Sequence, residues 1–64
     1  MPKFDTYVQL TGEDGNAFSI LGRVDAALRD AGATRDERND FIEEATSGDY
    51  DELLVTCMEW VNVG

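Results

Sequence analysis

Gly12-Glu13-Asp14-Gly15-Asn16-Ala17-Phe18-Ser19-Ile20-Leu21-Gly22-Arg23-Val24-Asp25-Ala26-Ala27-Leu28-Arg29-Asp30-Ala31-Gly32 is the stretch around which the rest of the chain has to fit. At 100° per residue, Ala17, Ile20, Leu21, Val24, Ala27, Leu28 and Ala31 fall in one arc about 120° wide, and Ser19, Arg23, Asp25, Arg29 and Asp30 lie outside it. The spacing predicts an amphipathic helix over residues 17–31. Asn16 is placed to cap its start by accepting a hydrogen bond from a free amide, and Gly32 to end it in a left-handed conformation that strains any residue with a Cβ. The preceding Gly12–Asn16, with two glycines, two acids and an asparagine, has the composition of a turn. Two residues interrupt the pattern: Phe18 sits at the margin of the apolar arc, and Gly22 follows four positions later on nearly the same azimuth. Glycine inside a helix costs about 1 kcal/mol against alanine, so a packing reason is expected. The favoured reading is that Phe18 tucks under the C-terminal segment and Gly22 makes room for it; the other is close approach of a second backbone.

On the N-terminal side, Phe4, Thr6, Val8 and Leu10 alternate with Asp5, Tyr7, Gln9 and Thr11, the period of a half-buried strand. On the C-terminal side, Thr34-Arg35-Asp36-Glu37 is a capping box that opens a second helix, whose apolar stripe is only Phe41, Ile42 and Ala45 with the Arg38 stem beside it. Asp36, Glu37, Asp40, Glu43 and Glu44 are expected to face water. Thr46-Ser47-Gly48 breaks this helix, and Asp49, with Glu52 three residues on, caps a third. There Tyr50, Leu53, Leu54, Cys57, Met58 and Val61 mark the apolar face. Trp60-Val61-Asn62-Val63 has strand-forming residues, and the first strand has no other partner for its ladder. The third helix is therefore expected to stop near Met58 and the tail to pair with Phe4–Thr11. The expected fold is a single α+β domain over residues 1–64, β-α-α-α-β, with a two-stranded sheet packed against three helices.

A chain of 64 residues buries a small core and is marginally stable on its own. No disulfide and no zinc site is available, because Cys57 is the one cysteine and histidine is absent. Cys57 reads as a small buried hydrophobe, and unpaired cysteine suits a reducing compartment. No signal-peptide pattern and no apolar run long enough for a membrane span occur, so a cytoplasmic location is expected. Five cations against fourteen acids give a net charge of −9, a field that disfavours direct contact with nucleic acid or an anionic membrane. Lys3, Arg23, Arg29, Arg35 and Arg38 are scattered among carboxylates and form no basic patch.

Eight of the fourteen acids lie between Asp36 and Glu52. Enzymes use carboxylate pairs as acid and base, but there is no histidine, no activated-serine signature and no P-loop, so catalysis is not expected and no cofactor is implied. The Glu13, Asp14 and Asn16 oxygens lack the alternation and closing Glu of an EF-hand loop, so calcium is not expected there either. The remaining chemistry is docking. Asp36, Asp40, Glu43, Glu44, Asp49, Tyr50 and Asp51 are the candidate partner-binding residues, on an acidic helix and the corner after it. A two-stranded sheet also leaves free edges, which makes homodimerisation through a sheet edge a physical expectation, with Tyr7 and, if it faces out, Trp60 as aromatic anchors, although ordinary core packing is the favoured reading of Trp60.

Asp14-Gly15-Asn16-Ala17-Phe18, Ala45-Thr46-Ser47-Gly48-Asp49-Tyr50-Asp51-Glu52-Leu53-Leu54 and the Trp60-Val61-x-Val63 ending resemble a group of small uncharacterised proteins encoded by phages, prophages and bacterial genomes. The resemblance spans nearly the whole chain and carries no activity to transfer. It implies a phage-type accessory protein working in the host cytoplasm. Three functions follow as expectations: a non-enzymatic protein that binds a host or phage protein through its acidic surface, a nucleic-acid mimic that inhibits a DNA-binding enzyme, or a structural homodimer.

Overall fold

Five elements appear in the expected order in the computed structural model, which describes residues 2–64: β1 (Tyr7–Val8), α1 (Ala17–Asp30), α2 (Arg35–Ala45), α3 (Tyr50–Trp60) and β2 (Asn62–Val63). β1 and β2 form a two-stranded parallel sheet with Tyr7 opposite Asn62 and Val8 opposite Val63. The molecule is α+β, and its first and last segments lie side by side.

The helix ends are written in local chemistry. The Asn16 side chain accepts from the Phe18 amide at 2.8 Å, and Asp14 accepts from both the Asn16 amide and the Ser19 hydroxyl at 3.0 Å. At the other end of α1 the Ala33 amide donates to the Leu28 carbonyl and the Gly32 amide to that of Arg29, a Schellman motif that places Gly32 at φ +95°. Thr34 and Glu37 complete the capping box of α2. Asp49 caps α3 by accepting from the Glu52 amide at 3.0 Å.

The core joins Val8 of β1, Ile20, Val24 and Leu28 of α1, Phe41 and Ala45 of α2, Leu53, Cys57 and Trp60 of α3, and Val61. Trp60 ties the ends of the chain to the middle. Its ring stacks on Phe4 with centroids 6.1 Å apart, meets Phe41 edge to face at 5.6 Å, and lies under the Lys3 ammonium.

Three expectations are corrected. The strand pattern over Phe4–Thr11 survives as an alternation, with Phe4, Thr6, Val8 and Leu10 inward and the residues between them exposed, but regular strand is confined to Tyr7–Val8. The Thr6 amide turns back to the Phe4 carbonyl, and beyond Val8 the Leu10 and Thr11 amides both converge on the Gly64 carbonyl, so the ladder is short at both ends. Helix α3 runs to Trp60 rather than stopping near Met58. Its buried stripe is Leu53, Thr56, Cys57 and Trp60, rotated from the face expected, so that Tyr50 and Met58 are exposed. Burial of the indole in the helical register outweighs the strand preference of Trp60, while Val61, the C-cap, is already extended. Trp60 is core, as its favoured reading has it, whereas Tyr7 is exposed. Finally, Phe18 does not tuck under the C-terminal segment: it is 84% exposed, and a Cβ on Gly22 would meet nothing within 4 Å.

Candidate functional site

Helix α2 turns Phe41 and Ala45 into the core, with Ile42 half-buried, which leaves its opposite face to the solvent. Asp36, Asp40, Glu43 and Ser47 recur along that face at helical spacing and are all exposed. Asp40, Glu43, Glu44 and Ser47 line a shallow depression of about 310 Å³. Glu44 departs from the expectation that it faces water: it is half-buried, and its carboxylate accepts the Trp60 indole N–H at 3.2 Å. It contributes negative charge to the depression while holding the core tryptophan in place.

Asp49 and Tyr50 belong to a different concavity. A pocket of about 240 Å³ opens between the first turn of α1 and the α2–α3 corner, lined among others by Ala17, Leu21, Ala45, Asp49, Tyr50 and Leu53. Tyr50 stands at its rim because its hydroxyl donates to the Gly15 carbonyl at 2.6 Å, which fastens the start of α3 to the turn before α1. Asp51 is exposed on the first turn of α3. Of the expected residues, Asp40, Glu43 and Glu44 line an acidic dimple on α2, Asp49 and Tyr50 line a mainly apolar pocket at the corner, and Asp36 and Asp51 line neither. The apolar residues Ala17 and Leu21 were not foreseen as part of the corner pocket. Their signal in the sequence was the width of the α1 arc, which exceeds what one narrow α2 stripe can cover.

The electrostatics of the two halves differ. The ion pairs Arg23–Glu13 at 3.2 Å, Arg29–Asp30 at 3.4 Å and Arg38–Asp25 at 3.0 Å each include a residue of α1. Among the described residues, Asp36, Asp40, Glu43, Asp49 and Asp51 make no ion pair. Backbone and hydroxyl donors, with Arg23 nearby, hold the Asp14 carboxyl below its ordinary range. Burial pushes the Cys57 thiol up to about 11, which keeps it protonated and unreactive at neutral pH. No group of three or more metal-ligating side chains gathers among the described residues. No helix among them is long and apolar enough to cross a membrane.

No family model, curated protein or solved structure matches the chain.

Proposed function

We propose that this is a non-enzymatic accessory protein that binds another protein through the acidic face of α2 and the α2–α3 corner. The observation that carries the reading is the set of carboxylates at Asp36, Asp40, Glu43, Asp49 and Asp51, which find no cation partner among the described residues. Beside them lies an apolar pocket of side-chain dimensions. Such a surface suits a partner that presents lysine or arginine next to an apolar side chain: the charges steer the encounter and the pocket supplies desolvated contact. The resemblance of residues 14–18 and 45–54 to small phage and prophage proteins supports a phage-type role in the host cytoplasm, as does the single unpaired cysteine.

The test is affinity capture from the producing cell at low and high salt, with wild type and the D49N/D51N double variant. Asparagine still caps a helix, so the variant removes charge without removing the cap. One partner enriched at low salt, released at high salt and lost with the variant is the expected result. Recovery of no partner at low salt, or equal capture by the variant, would refute the proposal.

A further inference from the structure

The face of α1 on the open side of β1 has a composition that the core does not require. Arg23, Ala26, Ala27 and Asp30 recur at i, i+3, i+4 and i+7, and together with Tyr7, Val8, Gln9 and Glu13 they line a groove of about 550 Å³ between β1 and the helix. The backbone above that groove is unpaired. In the parallel register, Asn62 donates to the Thr6 carbonyl and Gly64 to that of Val8, so Tyr7 and Gln9 turn their N–H and C=O groups away from β2 and over the groove. Within the described residues no backbone bond from the Gln9 amide forms. The charges at the two ends of the stripe are also underused. Among the described residues Arg23 reaches Glu13 through Nη2, its Nη1 is buried without an acceptor and about a third of the side chain stays exposed, and Asp30 is three-quarters exposed beside its neighbour Arg29.

A stripe with a cation at one end, an anion at the other and alanines between is complementary to itself when run antiparallel. We infer that a second copy of this chain occupies the groove, related by a two-fold axis that passes beside Val8 and between Ala26 and Ala27. With Val8 opposite its own counterpart, Tyr7 and Gln9 of each copy exchange both backbone hydrogen bonds with Gln9 and Tyr7 of the partner copy. The two short sheets become one four-stranded sheet, β2-β1-β1-β2, antiparallel at the centre. Beneath it, Ala26 meets Ala27 of the partner copy, and their small side chains let the two helices approach. Arg23 faces Asp30 of the partner copy, and by symmetry Asp30 faces Arg23 of the partner copy. The interface is isologous and closed, and it removes the β1 edge that a two-stranded sheet leaves open. It uses none of the carboxylates assigned to partner docking, so it stands or falls separately from the proposed function.

Equilibrium sedimentation of the full chain across the micromolar to millimolar range tests it, with circular dichroism to check folding. Wild type is expected to dimerise. R23D and D30R each set like charges opposite at two symmetry-related places and are expected to raise the dimer Kd about tenfold or more, while R23D/D30R restores the pairing and returns the Kd toward wild type. Gln9→Pro deletes a donor that the monomer does not use and is expected to leave a folded monomer. A wild type that stays monomeric throughout, a double swap no tighter than either single swap, or a Gln9→Pro protein that dimerises as wild type does would overturn the inference.

Discussion

Gly22 and Gly32 belong to the same helix, and alanine should act on them with opposite signs. Gly22 lies in the interior of α1, its φ is unexceptional, and a Cβ placed there meets nothing within 4 Å. Alanine then gains only the helix propensity that glycine forgoes, about 1 kcal/mol, part of it through a less flexible unfolded chain. Gly32 also has open space around it, but its φ of +95° lies where Cβ strains against its own backbone. Alanine there should cost about 1–2 kcal/mol or force the Schellman bonds from Ala33 and Gly32 to break. In a domain of this size each kcal/mol moves Tm by about 4–8 °C, so the two variants should separate by roughly 8–24 °C. Urea and thermal unfolding followed by far-ultraviolet circular dichroism measure both at one protein concentration, held fixed because association would itself shift Tm. A Gly22→Ala variant less stable than wild type would show that the space beside Gly22 is filled in solution, by the Phe18 ring or by another chain.

Other perturbations test the core and the titrating groups. Leu28→Ala, at a fully buried site, should cost about 2–5 kcal/mol and leave a chain this small largely unfolded at 37 °C by circular dichroism. Thr56→Val should stabilise, by about 1 kcal/mol in urea titration, because the Thr56 hydroxyl is fully buried and has no hydrogen-bond partner among the described residues. The Cys57 thiol, raised to about 11, binds its proton more tightly folded than unfolded; its contribution is present in full below the ordinary value of 9.0 and is lost as pH rises toward 11. Stability should therefore fall along this alkaline limb, and C57A should flatten the fall. Asp14 has the opposite sign: its folded pKa lies below 3.8, so its contribution is present above that value and is lost as pH falls through the lower one. D14N should be less stable than wild type at neutral pH and converge with it in strong acid; a gap that persists there would assign the effect to lost packing.

What could be read from the sequence followed from how local each signal is. Both ends of α1 and the starts of α2 and α3 are set by Asn16, Gly32, Thr34, Glu37 and Asp49, each of which acts on amides or carbonyls within a few residues, and all of them behave as their positions imply. The inward alternation of Phe4 to Leu10 was equally legible. The end of α3 was not, because Trp60 is decided by Phe4 and Phe41, which lie 56 and 19 positions away along the chain. Phe18 was misread for a related reason: periodicity places it near the apolar arc but cannot show that α2 and α3 cover only the other edge of that arc. Among the candidate site residues, the acids of α2 were found through the narrowness of its apolar stripe. The division between the dimple and the corner pocket depends on how α1 packs against α3, which no local spacing records.

The two proposed surfaces have consequences for each other. The β1 edge and the Arg23–Asp30 face of α1 lie apart from the acids of α2 and the α2–α3 corner, which share no lining residue with that groove. A two-fold pairing would therefore leave both acidic surfaces open and give one particle two identical docking sites. Against a partner with repeated basic sites, such a particle would gain avidity over the monomer without any new contact, provided both sites can be reached at once. The same pairing would make folding stability rise with concentration, since only folded chains present an ordered β1 edge and an α1 stripe in register. Gln9→Pro separates these effects. In a folded monomer that keeps every acidic residue, the affinity of a single site should be unchanged while avidity and the concentration dependence of Tm disappear together; loss of one without the other would mean that they arise from different contacts.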